Sequence, residues 1–307
     1  MIALTSILAL LIPLQDQNSA QDEQGGAKTP SQQDLAAWVT DTHRPAGGSD
    51  DIDRFHAKIR TLTLGDRPDG NIDITLDATY ARSVELKPGG LKMAMIRYTI
   101  EEGRDPQDGK RYERGIDAGG AWMLKDDRSQ RLTSREYQTD RELIDSHRKL
   151  CDQMLTLLDP SSIVSALTNT DPITTVEIVS GGIKPEKIPT YKLRGNHPSF
   201  PMFRGDNELV QGRALVTVWV HRDTHALRAV EVFPFDQTGH PSAQGEYIDM
   251  SKHVLHDGIL LPRILMYRRI DGATRQSEWQ IELKTFTANP TLTRASFAMP
   301  SKRPKPM

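Results

Sequence analysis

The sequence predicts an α+β protein: one large, curved antiparallel sheet with a long helix and shorter helices on one of its faces. Three observations lead there. About a dozen short stretches alternate apolar and polar residues with period two and are separated by polar turns, the mark of a meander rather than of βαβ units. A single long stretch near the middle, Arg135 to Leu158, carries helical spacing instead. No shift of composition splits the 307 residues, and a chain of this length can bury one sizeable core.

In chain order, Ile2 to Leu14 is an apolar run too short to span a bilayer as a helix. It reads as the core of a secretory signal peptide over residues 1–20, with Asn18-Ser19-Ala20 as the cleavage site, although no Lys or Arg precedes it. Residues 21–33 are polar and read as a disordered linker. A short helix follows from Asp34, with Leu35, Trp38 and Val39 on one face. From Phe55 the period becomes two: Phe55, Ala57 and Ile59 alternate with His56, Lys58 and Arg60, and Ile72, Ile74 and Leu76 with Asp73, Thr75 and Asp77. Turns rich in Pro, Gly and Asp separate these strands from LKMAMIRYTIEE, KRYERGIDA, AWMLKDD and SQRLTSR.

The long helix sets Leu143, His147, Leu150, Met154 and Leu157 on one apolar face, with Cys151 and Leu158 beside them. Asp159-Pro160 ends it, and Ser161 is placed to cap a second short helix, Ser162 to Leu167. Seven further strand stretches lie between Ile173 and Thr287. His197 to Gly212, with two Pro and two Phe and no clear period, reads as a long loop. Residues 34–300 form the folded domain, and the basic, Pro-rich residues 301–307 form a disordered tail.

Charge and motifs narrow the function by exclusion. Lys plus Arg number 39 against 41 Asp plus Glu, a formal net charge of −2, which argues against a protein that wraps nucleic acid. One cysteine excludes an internal disulfide, a four-cysteine zinc site and a CxxC pair. There is no HExxH, GxSxG, GxxxxGK[ST] or GxGxxG, so the chain reads as a non-enzyme without cofactor or metal. Cys151, on the apolar helix face, reads as a buried, inert thiol. His221 with His225, and His253 with His256, lack a well-placed third ligand and read as solvated polar residues. Asp50-Asp51-Ile52-Asp53 lacks the Gly and distal Glu of a calcium loop. Strand arginines (Arg97, Arg111, Arg114, Arg263, Arg268, Arg269) form either a solvated face or the rim of a groove that meets an anionic group.

The C-terminal third carries a resemblance. Val216-Thr217-Val218-Trp219-Val220 is followed by Asp223-Thr224, then Leu227 to Val232, Tyr247 to Ser251, Asp257-Gly258-Ile259-Leu260-Leu261-Pro262, Trp279 to Glu282 and Phe297-Ala298-Met299-Pro300. This series resembles the closing hairpins of the LolA/LolB-like superfamily of periplasmic lipoprotein-sorting carriers, with their WVD strand, DGxxLP crossing and final FxxP. The chain is longer than those carriers, and its specific likeness spans only Arg213 to Pro300.

The resemblance implies an incomplete, strongly curved β-barrel plugged on its concave face by helices, in the periplasm, holding a lipid or a lipidated protein. Membrane contact would be transient. The expected lining of the hollow is Ile96, Trp122, Val218, Trp219, Val232, Ile264 and Trp279, with Leu143, Leu150 and Met154 on the lid helix. The alternative on the same fold is an envelope-stress sensor or interaction module whose His197–Gly212 segment engages an envelope protein.

Overall fold

The computed structural model describes residues 29–44, 52–63, 73–86, 90–102, 112–125, 128–179, 187–204, 208–272 and 274–300. The expected signal peptide, most of the expected linker, the 301–307 tail, Asp50 and Asp51 lie outside them.

Helix α1 (Gln32–His43) precedes six strands: β1 (Arg54–Thr63), β2 (Asp73–Glu85), β3 (Lys92–Glu102), β4 (Tyr112–Asp117), β5 (Gly120–Lys125) and β6 (Arg128–Arg131). A 3-10 turn, Arg135–Tyr137, leads into α2 (Gln138–Leu157) and α3 (Pro160–Ala166). Seven strands follow: β7 (Thr174–Val179), β8 (Lys187–Arg204), β9 (Glu208–His221), β10 (Leu227–Pro234), β11 (Gln244–His256), β12 (Ile259–Asp271) and β13 (Thr274–Ala288). Helix α4 (Arg294–Phe297) closes the described chain.

All thirteen strands join one antiparallel sheet in the order β6-β5-β4-β3-β2-β1-β13-β12-β11-β10-β9-β8-β7. Each half of the chain makes a meander, and the two meanders join where β1 pairs with β13. The outer strands, β6 and β7, are therefore consecutive in the chain, and the connection between them is α2 with α3. Laid flat, thirteen strands at about 4.8 Å spacing would span roughly 58 Å. Helix α2, at 1.5 Å per residue, is only about 30 Å long.

The side chains show how the mismatch is resolved. Asp152 of α2 accepts hydrogen bonds from Tyr80 and Arg82 of β2, while its neighbour Gln153 bonds to Pro201 on β8, Glu246 on β11 and Tyr267 on β12. Adjacent residues, about 3.8 Å apart along the chain, thus reach strands seven places apart in the sheet. The sheet curls round α2 and stays open between β6 and β7.

Several local expectations are corrected. Order extends ahead of Asp34: Ser31 is the N-cap of α1 and forms a capping box with Asp34. Gln32, expected in the linker, donates to the carbonyls of Val164 and Leu167 at the C-terminal end of α3. Asp159, not Ser161, is the N-cap of α3, with Pro160 as its first residue; the Ser161 hydroxyl donates to Asp159 instead.

Most of the expected loop at His197–Gly212 belongs to the hairpin of β8 and β9, with an irregularity between His197 and Phe200. Prolines are tolerated there because β7 pairs only with Lys187–Lys192. The 168–171 segment covers β8 as far as Asn196, and beyond it the Pro198–Pro201 stretch has no further strand on that side among the described residues. A missing N–H costs no ladder bond on such an edge.

Candidate functional site

Strand alternation divides the sheet's side chains into a concave layer, against α1, α2 and α3, and a convex layer. Phe55, Ala57 and Ile59 of β1, Leu76, Ala78 and Tyr80 of β2, and Ile96, Tyr98 and Ile100 of β3 share one core with Val216, Val218, Val220, Val230 and Val232. From the helices, Leu35, Val39, Ile144, Leu150, Cys151, Met154, Leu155, Leu158 and Ile163 fill the same space. The hollow expected from the resemblance is occupied by the chain's own helices.

The expected lining residues separate by face. Ile96, Val218 and Val232 lie in the concave core, and Trp279 packs against its rim, stacked on Tyr267 at 4.2 Å and 14°. The other three are corrected. Trp219 follows Val218, and neighbouring residues of a strand point to opposite faces; it packs on the convex side with Ala229, Tyr247 and Ile270. Trp122 is flanked by Ala121 and Met123, both turned to the concave core, so its ring lies on the convex side over Gly115. A Cβ on Gly115 would come within 2.6 Å of that ring. The Trp122 Nε1–H donates to the Phe297 carbonyl of α4 at 3.2 Å. Ile264 pairs with Glu282 and Ser251, the convex-side register, and is half-buried.

On α2, Leu150 and Met154 are buried in the core, but Leu143 is 39 % exposed. Ile144 takes its place against the sheet. The inward stripe keeps His147, Leu150, Met154 and Leu157 and departs from the expected one only at its N-terminal end, where Ile144 replaces Leu143.

Polar side chains pin α2 to both limbs of the sheet. The Arg82 guanidinium donates to Asp152 Oδ1 at 2.7 Å and to Thr156 Oγ1 at 3.2 Å. Arg114, which turns inward from β4, donates to Asp140 at 3.0 Å. Gln153 is fully buried; its amide donates to the Pro201 carbonyl and to Glu246, and its oxygen accepts from the Tyr267 hydroxyl at 3.2 Å. Sequence reasoning passed over Gln153, although its spacing from Leu150 and Leu157 places it on the apolar stripe, where a polar residue needs a buried partner.

His43 and His253 are structural rather than solvated. His43 Nδ1–H donates to the Leu260 carbonyl at 2.7 Å, and its Nε2 accepts from the Leu227 N–H at 3.1 Å, so the ring is neutral and ties α1 to two strands. His253, expected in solvent, lies edge-on to it at 5.9 Å with a buried Nε2. Burial lowers both pKa values, that of His253 to about 3. His147, against the Tyr98 ring at 4.8 Å, is lowered by burial to about 4. His221 accepts from the N–H groups of Asp223 and Thr224 in its turn, and His225 stacks on Trp38 at 4.7 Å. Burial raises the Cys151 thiol far above its usual range and keeps it protonated. No group of three or more His, Cys, Asp or Glu able to hold a metal ion occurs among the described residues.

Two open clefts are defined. One, of about 420 Å³ on the convex side, is lined by His56, Asp77, Thr79, Arg97 and Glu113 among others. There His56 bonds Thr79 at 3.0 Å and faces Asp77 at 3.4 Å. Cross-strand register accounts for this trio, since His56 lies directly opposite Thr79. The other cleft, of about 390 Å³, opens between β2, β3 and β8 over α2 and α3.

No family model matches the chain, and no curated protein matches it. Among solved structures, a DUF1329 family protein from Desulfovibrio piger is 12 % identical, with 87 % of this chain and 95 % of that one covered and a TM-score of 0.40. The LolA superfamily protein NE2245 from Nitrosomonas europaea is 9 % identical, with 88 % and 98 % covered and a TM-score of 0.40. MucB in complex with periplasmic MucA is 11 % identical, with 90 % and 100 % covered and a TM-score of 0.20. The structure itself is an open, curled antiparallel sheet with helices in its hollow.

Proposed function

We propose that this protein is an exported, non-enzymatic carrier that lodges an acyl chain, free or attached to a protein, between its curled sheet and the α2–α3 segment. The observation that carries the reading is topological: α2 and α3, which with α1 fill the hollow, are the crossover between the sheet's two outer strands. It leaves the strand pairing untouched when it moves, because no strand of the sheet depends on α2 or α3 for a ladder partner. Displacing it uncovers Ile96, Val218, Val232 and Trp279, with Leu150 and Met154 on the moving side. An acyl chain entering there gains about 0.8 kcal/mol for each buried methylene, in place of the apolar helix residues it displaces. No step of covalent chemistry is required.

The apolar run Ile2–Leu14 supports export, and no helix among the described residues is long and apolar enough to cross a membrane. The test is organic extraction of the purified protein, followed by hydrogen exchange with and without a fluorescent fatty acid. Co-purified acyl lipid, saturable probe binding and faster exchange confined to α2 and α3 are expected. A protein that holds no acyl lipid and binds no probe overturns the reading.

One feature favours a second reading, an interaction module for an envelope protein. Strand β7 is an outer strand with Val179 57 % exposed, able to pair with an extended peptide.

A further inference from the structure

The cleft over α2 and α3 is unlike the rest of the concave side. Its walls are Tyr80, Arg82, Ala94, Arg148, Asp152, Thr156, Ser162, Ala166, His197 and Ser199. The cavity of about 390 Å³ lies within the range of roughly 300–1,000 Å³ that small-ligand sites occupy. Its donors outnumber its acceptors. Arg82 spends Nε and Nη2 on Asp152 and Thr156, and Arg148 spends the same two groups on Asp145. Each guanidinium keeps an Nη1 group with no partner among the described residues. The Ser199 hydroxyl is likewise uncommitted. His197 Nδ1 accepts from the Ser199 N–H at 3.2 Å, which leaves the hydrogen of the neutral ring on Nε2.

The charge is also one-sided. Two arginines share the walls with a single carboxylate, Asp152, whose Oδ1 already accepts from both Tyr80 and Arg82. Behind Arg148, Asp145 is paired a second time, with Lys149 at 3.2 Å.

The cleft borders the hydrocarbon-lined interior. Tyr80 presents its hydroxyl at the cleft and keeps its ring in the core, and Ser199 is followed by the fully buried Phe200. We infer that this cleft is the seat of an anionic headgroup, a carboxylate or phosphate, on an amphiphile whose tail enters the hollow. The inference rests on the acyl-carrier reading and adds to it the chemistry of the ligand's polar end. Arg148 is the main recognition residue, because its one side-chain partner among the described residues, Asp145, lies on its own helix. Arg82 both recognises the headgroup and holds Asp152, so an incoming oxyanion competes for the contact that pins α2 to β2.

The test titrates the intact protein with hexadecanoate, hexadecyl phosphate, hexadecanol and inorganic phosphate. The anionic amphiphiles are expected to bind about tenfold or more tightly than the alcohol, the worth of one charge-assisted hydrogen bond. Arg148→Ala removes that margin and leaves alcohol binding unchanged, while Arg148→Lys retains part of it; circular dichroism checks that each variant is folded. Equal binding of acid and alcohol, or a margin that survives Arg148→Ala, overturns the headgroup site while the carrier reading stands. Binding of inorganic phosphate with no amphiphile retained overturns both and leaves a small-anion site. Failure of all four probes overturns both outright.

Discussion

The concave side of the sheet meets three helices, whereas the convex side is finished by the sheet's own large residues and one short C-terminal helix. Inside, fully buried aliphatics alternate along the central strands and pack on α1, α2 and α3, with polar pins at Asp140, Asp152 and Gln153. Outside, Trp219 and Tyr247 meet edge to face at 5.7 Å, Phe297 of α4 packs on Ala81 and Met95, and Trp122 bonds to α4. The remaining convex surface carries cross-strand ion pairs such as Arg60–Asp73, Arg97–Glu113 and Arg263–Glu282. Two of the three concave helices, α2 and α3, belong to one connection of the chain, which on the carrier reading gives way to another apolar body. The convex contacts come from the strands and the closing segment, and nothing can replace them. On the carrier reading, the convex side stays in place while the concave side opens to a ligand.

That contrast is most easily broken at Trp122. Truncation to Ala removes a fully buried indole, its hydrogen bond to α4 and the cover over Gly115, and should cost about 4 kcal/mol by denaturant unfolding. Acyl-probe affinity of the fraction that remains folded should be unchanged. A loss of affinity at full stability would mean that the convex side takes part in binding.

Acid acts on the other side. The rings of His43, His147, His197 and His253 all have pKa values lowered by burial, and His147 stands on α2 itself. Their folded values lie below the ordinary 6.5, so in the window beneath 6.5 the unfolded chain binds more protons than the folded one. Stability is therefore fully present above pH 6.5 and falls as pH drops toward about 4 for His147 and about 3 for His253. Much of this window lies above the range in which Asp117 and Asp145 titrate, since both are lowered from 3.8. For these two, burial alone would raise the pKa, but hydrogen bonds from Arg131, and from Arg148 and Lys149, outweigh it. Urea midpoints and hydrogen exchange across the window should show α1 and α2 loosening before α4. His147→Gln should flatten the upper part of the profile. Equal loosening of α4 would sink the distinction between the faces.

The strands were legible because alternation survives in almost every one of them, and the long helix because its period does. Legibility ended where a face had to be chosen. Val218 and Trp219, or Met123 and Trp122, are equally apolar, and only the register with neighbouring strands tells which one looks inward. The β8–β9 hairpin hid behind its prolines, whose tolerance depends on the short reach of β7, a fact of topology and not of composition. Of the cleft proposed for the headgroup, only the idea of strand arginines meeting an anionic group was visible. Arg82 and Arg148 were not among the residues it named, because β2, α2 and β8 come together only after the sheet has curled.

The smallest expected effect tests the first turns of α2. Leu143 and Ile144 are neighbours on a helix that advances about 100° per residue, and at this end of the helix only Ile144 packs in the core. Ile144 is fully buried and Leu143 is 39 % exposed. Ile144→Ala should therefore cost about 3 kcal/mol, and Leu143→Ser should stay within about 0.5 kcal/mol of the parent. A large loss at Leu143 would mean that α2 sits one residue round from this orientation, which would also turn Asp152 and Gln153 away from their partners. No loss at Leu143, together with weaker retention of the acyl probe, would instead place its side chain against the ligand once α2 has moved, and would separate the resting contacts of the helix from those of the loaded state.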